Sequence, residues 1–285
     1  MNARLSSSLS GLALLALAGT AVAQPRSVGV VFKESDSVGG GLISAINAPF
    51  TDGNGRMAAL VNIDASRRVI LDENLAIIFD SASVVGPTVT GGEGTIGFSN
   101  ANGYIYSPTI NLEDGVYSNG GILARGTELA PALSGVFSTF HSRPTMTPNG
   151  TAYWVAGTAT TSTGATSQRV FYTNPTPATP ATTSVVLKGG DVYGGLTVAA
   201  QGIAFDYAVS DNNVHRIHSL TATGVPTAND VYIAADNTVV AQEGFASPIA
   251  GANWTATMRL PSINNSGAWV FAGDTTAATA SDEVI

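Results

Sequence analysis

Four acidic residues, Asp36, Glu128, Asp191 and Glu243, each follow a short apolar run at a similar offset, so in a closed ring of repeats they would gather near one rim. A glycoside hydrolase needs two carboxylates about 5 to 10 Å apart, and a carboxylate ring also attracts a cation. The competing expectation is that positions repeated through a symmetric array serve structure and that a charge at a strand end is solvated. The three histidines are His141, His215 and His218. His215 and His218 are three apart, which places them on opposite faces of a strand; their surroundings read as strand, so a shared metal is not expected. No Gly-x-Ser-x-Gly elbow is present to carry a Ser-His-Asp nucleophile.

Two glycine-rich stretches match binding motifs in letters only. Residues 92–97 (GEGTIG) fit the dinucleotide fingerprint, which needs a strand before it and a helix after it, whereas another strand follows here. Residues 52–55 (DGNG) begin like a calcium loop, but Arg56 occupies the third ligand position and no carboxylate closes the loop. Tyr104, Tyr106, Tyr117, Tyr153, Trp154, Tyr193, Tyr232, Trp254 and Trp269 are spread along the chain. Exposed aromatics stack on sugars or contact partners, but strand aromatics ordinarily pack between sheets. No catalytic, cofactor-binding or metal-binding residue is assigned from these patterns, and no cofactor is expected.

Composition narrows the classes further. Charged residues make up 11% of the 285, against about 25% in an ordinary domain. The net charge of −8 lacks the basic face that phosphates require, so nucleic acid is not an expected partner. Zero cysteines exclude disulfides and thiolate metal sites. At 44% hydrophobic the chain lies far from the composition of intrinsic disorder.

The first 23 residues read as an export signal. Arg4 gives the positive start, residues 12–18 (LALLALA) the short apolar segment, and Ala21, Val22 and Ala23 the small-x-small cleavage pattern. The expected mature chain begins at Gln24 and loses one basic residue, Arg4, leaving 11 basic against 20 acidic and a net charge of −9. The apolar segment falls short of the roughly 20 residues of a membrane span, and no integral membrane segment is expected after cleavage. No cysteine follows the cleavage site to carry a lipid. The expected destination is the periplasm or the exterior of a bacterium, and the Asn-x-Ser/Thr triplets at Asn149, Asn253 and Asn264 read as turn residues.

Two signatures recur in residues 24–285. Apolar runs ending in polar or small residues begin at Val30, Ile77, Ile122, Val185 and Val239, with spacings of 47, 45, 63 and 54. The long interval holds residues 174–184 (NPTPATPATTS), a Pro/Thr/Ala-rich stretch that reads as an inserted loop. In the second signature Pro49, Pro144 and Pro261 are each followed six residues later by a glycine, Gly55, Gly150 or Gly267, preceded by Asn or Ser. That is a hairpin signal, because glycine supplies the positive φ of a tight turn. Residues 108–115 (PTINLEDG) and 205–211 (FDYAVSD) read as degenerate copies. After each clear turn comes a run apolar at every position, the pattern of a strand buried on both sides. Further short strands begin near Arg68, Arg169 and Asp230.

Each unit thus offers about four short strands in about 50 residues, the size of a propeller blade. The expected fold is all-β, a β-propeller of about five four-stranded blades, nearly without helix. Tandem β-sandwiches are the alternative. The last unit reads as incomplete, stopping inside its third strand, and residues 27–32 are the candidate strand to pair with it and close the ring. The rival is a truncated larger ring.

The alternation of strands ending VVLKGGD or VVAQEGF with turns opening as PSINNSGAWVFAG resembles a group of exported bacterial repeat proteins. The resemblance implies a propeller without an established activity, often followed by a surface-sorting anchor. This chain departs from it in its degenerate second and fourth units and in showing no anchor tail. The function expected is an exported, non-enzymatic binding or structural repeat protein whose partner is an extracellular protein or glycan; the alternative is a carbohydrate-active hydrolase using rim carboxylates.

Overall fold

Alternate residues of a strand face opposite sides of its sheet, so a strand apolar throughout must be covered on both. In the computed structural model, which describes residues 31–285 except 52–55, 64–66, 85–88, 100–102, 111–112, 119–120, 127, 132, 161–164 and 279–282, this is met by stacking small sheets. A hairpin of β1 (Ser37–Val38) and β2 (Gly41–Leu42) leads into blade 1, formed by β3 (Ala45–Thr51), β4 (Met57–Asn62), β5 (Arg68–Asp72) and β6 (Ile77–Asp80). The four-residue helix α1 (Ser81–Val84) follows. Blade 2 is β7 (Val89–Phe98), β8 (Tyr104–Ile110), β9 (Glu113–Ser118) and β10 (Gly121–Arg125). Blade 3 is β11 (Val136–Met146), β12 (Ala152–Ala159), β13 (Gln168–Asn174) and β14 (Ser184–Lys188). The short β15 (Val192–Tyr193) precedes blade 4, β16 (Leu196–Val209), β17 (Arg216–Thr223), β18 (Val231–Ala235) and β19 (Thr238–Gln242). Blade 5 has β20 (Trp254–Ile263), β21 (Trp269–Thr275) and β22 (Glu283–Val284). Every blade is an antiparallel meander.

Between successive blades lie separate hydrophobic cores. Leu60, Ile70 and Phe79 of blade 1 meet Phe98, Tyr104 and Tyr106 of blade 2. Trp154 and Tyr172 of blade 3 face Ile105 and Val116 of blade 2, while their strand neighbours Tyr153 and Phe171 face Leu220 and Tyr232 of blade 4. Ile217 and Ile233 of blade 4 meet Trp254, Met258 and Phe271 of blade 5. One blade therefore contributes to two cores, which explains why β12 is buried along its whole length. First strands lie beside first strands, β3 with β7, β7 with β11, β11 with β16 and β16 with β20. Gly97 permits this approach in one place, since a Cβ there would sit 2.3 Å from the backbone nitrogen of Met146. The fold is an all-β propeller, and tandem sandwiches are excluded by this one-after-another stacking.

The repeat frame differs from the sequence expectation. The apolar runs that begin at Ile77, Ile122, Val185 and Val239 fall in β6, β10, β14 and β19, the fourth strand of each blade rather than its first. Of the run expected to close the ring, residues 27–30 lie outside the described residues, and Val31, Phe32 and Lys33 belong to no strand. Phe32 packs against the cluster of Val38, Val61 and Leu71 in blade 1.

Candidate ligand-binding face

The hairpins between first and second strands line one face. The sequence signature finds two of them within the described residues: Gly150 has φ +90° and Gly267 φ +81°, and their N–H groups donate back to the carbonyls of Thr147 and Asn264 at 2.8 and 3.1 Å. Blade 4 uses Asn213 at φ +62° for the same purpose, with its N–H donating to the Ser210 carbonyl at 2.9 Å; this turn overlaps the degenerate copy at 205–211. The other degenerate copy is misplaced. Residues 108–115 connect β8 to β9, and the first hairpin of blade 2 is the one closed between Ser99 and Gly103. Residues 52–55 lie outside the described residues.

Asparagine amides tie adjacent turns together. Asn213 Nδ2 donates to Asn149 Oδ1 at 3.0 Å and to Thr151 Oγ1 at 3.2 Å, from blade 4 to blade 3. The N–H of Asn212 donates to Asn265 Oδ1 at 3.0 Å, from blade 4 to blade 5. Asn149 Oδ1 also accepts from Thr147 Oγ1 at 2.7 Å and from the Thr151 N–H at 3.3 Å. With its oxygen held by three donors, the amide of Asn149 has only its NH2 group to offer elsewhere.

The inserted Pro/Thr stretch is a folded loop on the same face, joining β13 to β14. Its organiser is Asn174, fully buried. Asn174 Nδ2 donates to the Thr179 carbonyl at 3.2 Å and to Thr183 Oγ1 at 3.0 Å, while Oδ1 accepts from the Thr176 N–H at 2.8 Å and from Thr182 Oγ1 at 2.7 Å. All four hydrogen-bonding positions of the amide are thereby used. Residues 175–178 of this loop, Pro148, Asn149 and Gly150 of blade 3, and Ser99 and Gly103 of blade 2 enclose a groove of about 380 Å³. None of these residues is charged.

A second set of features lies on the first strands. In β7, β11, β16 and β20 four residues span an interval that two span on the neighbouring strand, a bulge that bends the strand and re-aims its side chains. Arg143 in the β11 bulge has φ +83° and Leu260 in β20 φ +54°, each directly before a proline. The Arg143 guanidinium pairs with Asp206 of the neighbouring blade. Tyr207 fixes the Arg143 backbone, donating its hydroxyl to the Arg143 carbonyl at 2.6 Å. Burial pushes the Tyr207 phenol far above its ordinary range.

Three of the four rim carboxylates are each engaged by a cation three residues earlier. Asp36 receives the Lys33 Nζ at 2.9 Å and the Lys33 N–H at 2.8 Å, and these bonds hold its carboxyl below the usual range. Asp191 repeats the arrangement with Lys188, at 2.8 and 3.0 Å, and Glu128 does so with Arg125, at 3.5 and 3.1 Å. Glu128 and Asp191 thus clamp the turns that leave the fourth strands of blades 2 and 3, and Asp36 clamps the turn that leads into β1. Glu243 stands two residues short of this position, where blade 4 has Phe245; the N–H of Phe245 donates to the Gln242 carbonyl at 3.1 Å.

His215 and His218 are separated as their spacing implies. His215 Nδ1 lies 2.6 Å from Asp236 Oδ2 on the surface. His218 is 1% exposed, ringed by Phe171, Tyr193 and Tyr207 with centroids at 4.8, 5.7 and 6.2 Å. Burial holds its pKa down to about 3, with the Arg216 charge adding to the effect. The side chain of His141 is outside the described residues. Residues 92–97 lie within strand β7, followed by strand β8 and not by a helix, so no phosphate-cradling turn forms there. No helix among the described residues is long and apolar enough to cross a membrane.

No protein family matches the chain, and no curated protein does. Among solved structures it is similar to the Dos1 propeller, at 15% identity and a TM-score of 0.40 over 84% of this chain and 56% of that one. A protein of unknown function from Bacteroides caccae aligns at 12% identity and a TM-score of 0.35, over 79% and 70%. A puromycin hydrolase aligns at 10% identity and a TM-score of 0.38, over 81% of this chain and 33% of the hydrolase. The chain thus spans a little over half the length of the Dos1 propeller.

Proposed function

We propose that this propeller is an exported binding module whose ligand, an extracellular protein or glycan segment, is held in the groove between the turns of blades 2 and 3. The observation that carries the reading is the Asn174 loop. Insertions that break a repeat's regularity tend to lie on the binding face, and this one is rigidly built and walls the groove. The absence of charge in the lining favours an uncharged ligand segment, with the Asn149 NH2 as the oriented donor. Export is supported by the Ala-Val-Ala pattern that precedes Gln24.

The test is a screen of glycan and peptide arrays with the purified chain, repeated with A178R and N149A. A charge in the groove wall and loss of the oriented amide should each abolish the captured signal while leaving the melting temperature within a few degrees. A ligand retained equally by all three proteins would place binding elsewhere. Mass spectrometry of the protein recovered outside the cytoplasm checks export, which fails if residues 1–23 are retained.

A further inference from the structure

Arg216 is the first residue of β17, directly after the blade 4 hairpin that turns at Asn213. Successive residues of a strand face opposite sides of the sheet. Ile217 packs towards blade 5, whereas His218 and Leu220 pack towards blade 3, so the Arg216 side chain is directed to the junction of blades 3 and 4 at the turn face. It is half-buried there. Its charge acts on the phenols of that junction: burial raises Tyr153 and Tyr193 above the ordinary range, and the Arg216 charge opposes the rise in both.

The guanidinium has no acid of its own. Asp236 is occupied on Oδ1 by the Arg216 backbone N–H at 2.8 Å and on Oδ2 by His215 Nδ1 at 2.6 Å, and Asp211 of the same hairpin is exposed. Among the described residues the Arg216 side chain makes no hydrogen bond and no ion pair, whereas Lys33, Arg67, Arg125, Arg143 and Lys188 each have a carboxylate. A half-buried charge is costly to leave unpaired, and a guanidinium takes a carboxylate through two parallel N–H···O bonds. Neutral polar groups run from this charge to the groove of blades 2 and 3. The Tyr153 hydroxyl donates to Asn213 Oδ1 at 3.2 Å, Asn213 donates to Asn149 and Thr151, and Asn149 lines the groove.

We propose that Arg216 receives the carboxylate of a uronic-acid sugar, in a glycan whose neutral part lies in the groove. This rests on the reading of the turn face as the binding face and adds the class of ligand. The groups between groove and guanidinium are amides and hydroxyls, which match a ligand that carries hydroxyls on every ring; an acidic peptide would leave most of them without partners. The net charge of −8 repels anions in general, so an anion that binds does so through a local cation.

The probes are tetramers of galacturonate, glucuronate and mannuronate, the methyl ester of each, and hexaglutamate, titrated calorimetrically into the full chain in EDTA. At least one uronate should bind saturably, and its ester, the same chain without the charge, at least about tenfold more weakly. R216Q should bring the acid down to the level of its ester, leave the ester unchanged and keep the melting temperature at or above the parent's. R216K keeps the charge without the planar fork and tests the same point should R216Q fold poorly: the acid should weaken and the ester should not. An acid preference that survives both variants overturns the role of Arg216 and leaves the groove reading intact. The opposite failure is also readable: N149A and A178R should weaken acid and ester alike, and if they change neither while R216Q removes the acid preference, the groove reading fails and the Arg216 site stands. Binding of hexaglutamate and of none of the uronates would assign the site to acidic peptides and overturn the glycan. So would equal binding of acid and ester, or no saturable response to any probe.

Discussion

His218 should make the propeller acid-sensitive in a pH range where its carboxylates are still ionised. The imidazole is enclosed by three aromatic rings between blades 3 and 4, and its Nδ1 has no hydrogen-bond partner among the described residues. Protonation in place would bury an unpaired charge, so the folded pKa is held near 3, whereas an unfolded histidine titrates near 6.5. The unfolded state therefore binds the proton first. A depressed histidine costs nothing above pH 6.5 and destabilises progressively as pH falls from there towards 3. Linkage gives a loss of about 2 kcal/mol at pH 5 and about 3 kcal/mol at pH 4. H218F keeps an aromatic ring in the site and cannot be protonated. Urea unfolding of both proteins at pH 7, 6 and 5 isolates the effect, because Asp and Glu ordinarily titrate below this window. The difference in unfolding free energy between variant and parent should move in the variant's favour by about 2 kcal/mol between pH 7 and 5. Parallel curves for the two proteins would show that the imidazole is hydrated or already paired, and the enclosure argument would fail.

Removing the loop organiser with N174A deletes the four hydrogen bonds of a buried amide and should cost about 2 to 4 kcal/mol, read as a lower melting temperature together with protease cleavage within residues 175–183. Two glycines should separate sterics from backbone strain in denaturant titrations: G97A forces a Cβ against the Met146 backbone and should cost at least about 2 kcal/mol, while G150A meets nothing within 4 Å and should cost about 1 kcal/mol from its φ of +90°. The Arg67 guanidinium reaches Asp80 at 2.6 Å and lowers its pKa, so this pair stabilises above the unfolded carboxylate range and its contribution is lost as pH falls through the folded value. D80N should remove that part of the acid transition below about pH 4.

A repeat's period is legible in a single chain, but its phase is not. The runs beginning at Ile77, Ile122, Val185 and Val239 give the spacing of the blades correctly. Nothing in an apolar tetrapeptide says whether it is the first or the last strand of a sheet, and the structure makes it the last. The turns could be read where a glycine takes positive φ, as at Gly150 and Gly267. They were obscured in blade 2, where Ile96 stands at the place of the proline, and in blade 4, where Asn213 replaces glycine. The carboxylates follow the same logic. Equal offsets from the apolar runs place Asp36, Glu128 and Asp191 in similar turns, and the cation three residues earlier in each, Lys33, Arg125 and Lys188, marks them as local clamps. Asn174 was visible only as the first letter of a low-complexity stretch, because composition identifies a loop and cannot reveal that a buried amide orders it.

The other third-to-fourth-strand connections within the described blades are short, running from Asp72 to Ile77, Ser118 to Gly121 and Ala235 to Thr238. The blade 3 connection, from Asn174 to Ser184, is the exception, and ordering its backbone costs about 1 to 2 kcal/mol per residue. The loop meets that cost in two ways that a passive linker would not need. Pro175, Pro177 and Pro180 restrict the unfolded chain and so reduce the entropy lost on folding, and the buried Asn174 amide returns four hydrogen bonds to the loop. Neither feature is required to hold blade 3 together, since β14 pairs with β13 on its own account. What the ordered loop adds is a fixed wall over the junction of blades 2 and 3. For the ligand proposed above, a wall fixed in advance would avoid an ordering cost at binding, which is why the departure from the repeat, rather than the repeat itself, is the place to look for recognition.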